Sequence, residues 1–183
     1  FDLVNTIGEA AALGAAGVIS WGDMNVTDTE NSCFGALKYL EQVMNPYILN
    51  VSTASCLCSE PLCQSQGCCV RKNWNDDVYL HLNSRYYTIE QCFQGGPLTV
   101  SGSLSQEDID YFNLNFNCMC YSKALCHSVL TLNVISGAVV NPRSGSTSRM
   151  CSFFVVVYTN MPKVFHNVNS AQTYKATPLN PKQ

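Results

Sequence analysis

The chain has 183 residues, a net charge of −3 and a pI of about 5.5, with 13% of its residues charged and 46% hydrophobic. No basic field is available to neutralise phosphates, so nucleic acid is not an expected partner, and so apolar a composition does not belong to a disordered tail. No apolar run approaches the roughly 20 residues needed to span a bilayer, and the most apolar stretch, residues 151–158, is far too short.

Within residues 3–13, Val4, Ile7, Ala11 and Ala12 recur at helical spacing in an Ala-rich run. Gly14 and Gly17 punctuate the end of that helix. Residues 18–21 read as a short strand of the buried type, followed by a polar turn. An αβ unit of this kind suits a (β/α) barrel, with Trp21 at the strand end that faces an active site. Asn31 and Ser32 are candidate caps for a second helix, with Leu37, Leu40 and Met44 as its apolar stripe. Pro46 restarts it, and residues 47–51 carry it towards the cysteines. Cys33 on this helix reads either as a buried thiol or as half of a bridge.

A cysteine-rich module opens near Cys56. Residues 78–82 and 86–90 are predicted as short strands, residues 94–97 as a turn and residues 98–100 as a further strand. Ser105 and Asp108 have the spacing of a capping box, opening a helix to about Asn115. Residues 116–121 form a closing strand with two cysteines. After Cys126 the character changes: residues 141–148 are loop-like, and residues 153–158 form an uncharged β-prone run with no evident partner and a tendency to aggregate. Residues 127–183 are expected to be mostly irregular.

There are 11 cysteines, an odd number, so at least one is not paired within the chain. Density of this kind belongs to an oxidising compartment. Sequons at Asn25 and Asn50 point the same way, as glycosylation sites of a secreted or cell-surface protein. With no initiator Met and no signal peptide, a secretory chain of this kind is expected to be a fragment.

Two stretches carry a close resemblance to a known family. Leu3-Val4-Asn5-Thr6-Ile7 with Glu9 through Gly22 resembles the last helix and strand of the animal hyaluronidase barrel (glycoside hydrolase family 56). Cys58-Ser59-Glu60-Pro61-Leu62-Cys63, Gly67-Cys68-Cys69-Val70-Arg71-Lys72-Asn73-Trp74-Asn75 and Tyr79-Leu80-His81-Leu82-Asn83 are similar to that family's C-terminal epidermal-growth-factor-like module, here with a long insertion. The Arg71–Asn75 stretch and Cys120-Tyr121-Ser122 leading to Cys126 are most similar to the sperm-surface members. The resemblance runs over residues 2–126 almost without a gap.

The resemblance implies an endo-β-N-acetylhexosaminidase that cuts hyaluronan, and in some members chondroitin, by substrate-assisted retaining catalysis. It implies no cofactor and no metal. The family's Asp-x-Glu pair lies on an early barrel strand, and no counterpart is identified in this chain. Glu107, Asp108 and Asp110 read as ordinary solvated charges. Trp21 matches the family's Trp at the end of the last barrel strand, where an indole face makes a flat wall for a sugar ring; Met24 stands where some relatives have a second aromatic. The implied bridges are Cys58–Cys69, Cys63–Cys118 and Cys120–Cys126, with Cys33 paired to a cysteine upstream of this chain. Cys56, Cys68, Cys92 and Cys151 are extra, and Cys68, beside Cys69, could compete for Cys58.

The expected fold is α+β: residues 1–55 as a barrel remnant and following helix, residues 56–126 as the cysteine module, residues 127–183 as a divergent tail. The rival reading is a non-catalytic extracellular adhesion module that presents Trp74, Tyr79, Tyr86 and Tyr87. A zinc site built from the cysteines with His81 and His127 is disfavoured because the sequons argue for oxidised cysteines.

Overall fold

The computed structural model describes residues 2–21, 29–91, 93, 97–121 and 154–158. Its first element is a π-helical turn, Val4–Gly8, that runs directly into α1 (Glu9–Ala12). The N–H groups at a helix start have no intrahelical acceptor. Here the Asp2 carboxylate accepts from Val4 N at 3.1 Å and from Asn5 N at 3.2 Å. Gly14 then ends the helix with a φ of +82°, and a Cβ at this position would lie 2.6 Å from Val70 Cγ2, so both conformation and space call for glycine. Strand β1 (Gly17–Trp21) follows.

Helix α2 (Glu30–Tyr39) is capped by Thr29 rather than by Asn31 or Ser32. Ser32 has a different part in the cap. Its N–H donates to Thr29 Oγ1 at 3.1 Å while its own Oγ accepts from Thr29 N at 3.0 Å, a reciprocal box displaced from the expected start. A π-helical turn, Leu40–Met44, leads into α3 (Asn45–Cys63), where Pro46 occupies the first turn and no donor is missed. This helix is unbroken past residue 56 and itself carries Cys56, Cys58 and Cys63. Gln64 and Ser65 then both adopt left-handed backbone, at φ 50° and 57°, and reverse the chain.

Strand β2 (Gly67–Arg71) pairs antiparallel with β5 (Phe116–Cys120), setting Cys69 opposite Cys118. Disulfides join Cys58 to Cys69 and Cys63 to Cys118, fastening both strands to α3. The approach is close: a Cβ on Gly67 would sit 2.5 Å from the Met119 carbonyl oxygen. Strands β3 (Tyr87–Gln91) and β4 (Leu98–Gly102) form a second antiparallel pair. Helix α4 (Gln106–Asn115) starts at a Ser105–Asp108 capping box and ends at β5. Strand β6 (Phe154–Tyr158) pairs in parallel with β1, so the uncharged run expected to lack a partner has one in Gly17–Trp21.

The architecture is thus α+β, with helices, small two-stranded sheets and disulfides. The larger core gathers Leu57, Leu80, Val100, Phe112 and Phe116 around the two bridges. A smaller one packs Leu3, Ile7 and Ala11 against Met44 and Val51. Residues 78–82 are not a strand. They run as irregular chain because side chains, not a ladder, take their backbone groups: Arg71 Nη1 donates to the Val78 carbonyl at 3.2 Å, Tyr111 Oη to the Tyr79 carbonyl at 2.9 Å, and Leu82 N to Asn50 Oδ1 at 3.0 Å. No described helix is long and apolar enough to cross a membrane.

Candidate functional site

Trp21 ends β1, in register with Tyr158 of β6. Asp23, Met24 and the Asn25 sequon lie outside the described residues. One Asp-x-Glu string does occur, Asp28-Thr29-Glu30. It marks a helix start rather than a strand: Thr29 is the cap of α2, and Glu30 is exposed in its first turn. Nor are Glu107, Asp108 and Asp110 alike. Asp108 is buried, with its carboxylate accepting from Ser105 N at 3.0 Å and Ser105 Oγ at 2.7 Å, so the expectation of a solvated charge is corrected there. Burial and the helix cap consume it. Glu107 remains exposed, accepting from Tyr86 Oη at 3.1 Å.

The most ordered polar constellation in the described residues is a seam between the first helical segment and the cysteine-stapled unit. The alternation of β2 buries Gly67, Cys69 and Arg71 and so sends Arg71 inward, where its side chain is only 2% exposed. The guanidinium forks onto the Glu9 carboxylate, with Nη1 donating to Oε2 at 3.0 Å and Nη2 to Oε1. The same two nitrogens also hold the carbonyls of Val78 and Trp74, which pins the intervening loop, while Nε is buried with no hydrogen-bond partner. The guanidinium carbon lies 5.7 Å from the centroid of the Tyr79 ring. Tyr79 in turn stacks on His81, with centroids 5.7 Å apart and an interplanar angle of 17°. His81 Nε2 is 2.8 Å from Tyr47 Oη on α3. Tyr79 Oη donates to Asn5 Oδ1 at 3.2 Å, closing the circuit back to the first segment.

Burial pushes the Tyr47 hydroxyl up to about 12, helped by Tyr79 and Asp2, so the phenol stays neutral. Burial also pulls His81 below its ordinary 6.5. The row is therefore an ion pair at one end and two neutral, hydrogen-bonded rings at the other. Its chemistry is cohesive: it joins α1, β2 and α3 and leaves no exposed nucleophile or acid. Among the described residues no group of three or more His, Cys, Asp or Glu could hold a metal ion. His127 lies outside those residues.

Sequence reasoning missed the Glu9–Arg71 pair. A period-two reading outward from Cys69 finds it, since Arg71 falls on the same face. The rival contact aromatics separate on inspection. Trp74 is 77% exposed and Tyr86 is exposed, whereas Tyr87 belongs to the core and Tyr79 is half-buried. Tyr87 is thus not a surface contact, because it is buried in the same core cluster as Leu57 and Phe112. Cys33 is buried on α2. Cys120 is disulfide-bonded, while Cys126, Cys92 and Cys151 lie outside the described residues. Asn50 is half-buried on α3, its Oδ1 committed to Leu82 N and its amide nitrogen left for other partners. Cys68 projects from β2 on the face opposite Cys69, with Sγ 3.8 Å from the Gly14 carbonyl.

The described residues form a short α+β unit held by disulfides and preceded by a helix and a strand ending in Trp, and comparison with known proteins places it. The hyaluronidase family (Glyco_hydro_56) matches residues 1–130. The chain belongs to the hyaluronidase family. It is 46% identical to human hyaluronidase PH-20 over 125 residues, which is 68% of this chain and 24% of that protein. It is 40% identical to human hyaluronidase-4 over 163 residues, or 87% of this chain and 33% of that protein. Mouse hyaluronidase-5 is 40% identical over 135 residues. The chain thus spans about a quarter to a third of the length of these relatives.

Proposed function

We propose that this sequence is the C-terminal part of a hyaluronidase that hydrolyses β-1,4 links of hyaluronan by substrate-assisted retaining catalysis. The match to the hyaluronidase family over residues 1–130 carries the reading. In it, residues 1–55 are the last helix and strand of a (β/α) barrel with the helix that follows. Residues 56–126 are an epidermal-growth-factor-like module, and residues 127–183 a divergent tail. Trp21 is a wall of the sugar site, and the general acid and its partner Asp are supplied by the rest of the enzyme. Asn25 and Asn50 carry glycans, Cys120 pairs with Cys126, and Cys33 pairs upstream. The setting is extracellular, on the surface of sperm or a similar cell.

The test is a pair of proteins. The 183-residue chain alone is expected to leave hyaluronan intact, because losing a general acid by itself commonly costs about 10²–10⁴-fold. Residues 2–126 grafted onto the aligned end of human PH-20 are expected to restore depolymerisation. Trp21→Ala in that graft should lower kcat more than it lowers secreted yield. A graft that is secreted and folded yet inactive overturns the reading. Binding of such a graft to cell-surface partners through exposed Trp74, without activity, would favour the adhesion module instead.

A further inference from the structure

We infer that the Tyr47–His81 contact is a pH-sensitive latch, which holds the 78–82 stretch against the start of α3 and the first helical segment beside it while His81 is neutral and loosens that seam when His81 gains a proton. The observation is where the imidazole sits. One face is covered by Tyr79, an edge meets Tyr47 with centroids 5.5 Å apart, and Nε2 faces Tyr47 Oη at 2.8 Å. In the neutral tautomer that carries its proton on Nδ1, Nε2 accepts there and the phenol donates, and the latch is the work of that tautomer. An imidazolium cannot accept. The bond would have to reverse, and the Tyr47 hydroxyl hydrogen would need another acceptor in a place where the first segment leaves little room: a Cβ on Gly8 would lie 2.4 Å from that oxygen.

The charged groups around the latch do not welcome a second cation. From α1, Glu9 is taken up by Arg71 of β2. From the N-terminus, Asp2 is taken up by the N–H groups of Val4 and Asn5. From the loop, Asp77 acts on the Tyr79 hydroxyl. From α4, Tyr111 donates to the Tyr79 carbonyl. A cation on an aromatic face is ordinarily attracted, but the Tyr79 ring already carries the Arg71 guanidinium 5.7 Å from its centroid. Burial of His81 acts in the same direction, holding it below 6.5. The sign follows. A histidine whose folded value is depressed contributes stability that is present above about 6.5, the unfolded value, and lost as pH falls through the folded value.

The chain has three histidines, His81, His127 and His166. In a His127→Gln/His166→Gln protein the single remaining imidazole is read by NMR titration, and unfolding in urea is followed from about pH 7.5 to about pH 5.5. His81 is expected to titrate below 6.5, and the folding equilibrium to weaken by up to about tenfold per pH unit across its titration. Adding His81→Gln should flatten that dependence while leaving the carboxylate-driven loss at lower pH. A merely structural histidine would lower stability equally at every pH. Titration at or above 6.5, or coincident pH profiles with and without His81→Gln, overturns the latch. Should the His81→Gln chain fail to fold, the titration of the parent protein still decides.

Discussion

A guanidinium withdrawn from water costs several kcal/mol unless its charge is matched and its donors are filled. Arg71 meets the charge condition with the Glu9 carboxylate and sets its Nη donors on that carboxylate and on two carbonyls of the 74–78 loop, while its Nε is buried with no hydrogen-bond partner. Each partner is therefore fixed relative to the others. Glu9 lies on the segment that leads into β1, so the pair also fixes where that strand leaves the unit. Glu9→Gln keeps the shape and removes the counter-charge. The Glu9 side chain is 32% exposed, so water relieves part of the penalty left on Arg71. A loss of about 2 kcal/mol is expected. Urea unfolding with an unchanged slope would register it, and a wild-type midpoint would show the pair to be dispensable. A single residue this consequential was readable only through strand alternation. The Arg-Lys-Asn-Trp-Asn string signals the family, but that Arg71 points inward follows from its distance to Cys69, not from its neighbours.

At the scale of elements, the signals that were legible are local ones. Ser105 and Asp108 fix the start of α4 by three reciprocal bonds, all within four residues. Pro46 and the Ala-rich run placed two helical segments on the same kind of evidence. Elements that depend on distant partners were not legible. Residues 78–82 look like a strand by composition, yet their polar groups are met by Asn50, Arg71 and Tyr111, which no window of sequence connects. The pairing of Gly17–Trp21 with Phe154–Tyr158 is a contact across most of the chain and equally invisible. The helix start makes the firmer test. Ser105→Ala removes one bond to the Asp108 N–H and one to its carboxylate, and should cost about 1 kcal/mol. Asp108 is then left buried with fewer donors, so the loss should exceed that of Thr29→Ala on exposed α2. Thermal melts of the two variants compare them directly, and equal losses would mean that burial of the Asp108 cap adds nothing.

For the whole molecule, stability rests on two small cores joined by covalent bridges rather than on one large interior. The two bridges are not equivalent. Cys58–Cys69 closes a separation of 11 residues and fastens β2 to the helix just before it. Cys63–Cys118 closes 55 residues and encloses the whole insertion, including the β3–β4 pair and α4. In the chain-entropy account the cost grows with the logarithm of the loop, which gives about 3 kcal/mol for the first and about 4 kcal/mol for the second. Cys63 ends α3, and Cys118 sits at the centre of β5. Losing either bridge leaves β2 and β5 paired along Gly67–Arg71 and held to α3 by the other, so the difference rests on the length of loop each one closes. Cys63→Ala/Cys118→Ala should therefore lower the urea midpoint further than Cys58→Ala/Cys69→Ala, by about 1 kcal/mol in free energy. Cys68 faces away from the vacated Cys58 position, towards Gly14, so a substitute bridge should form only after β2 opens. Mapping disulfides in the Cys69→Ala protein checks this. A rapid, native-like Cys58–Cys68 bridge would mean that β2 exchanges faces readily and that the register with β5 is weaker than its five paired residues imply.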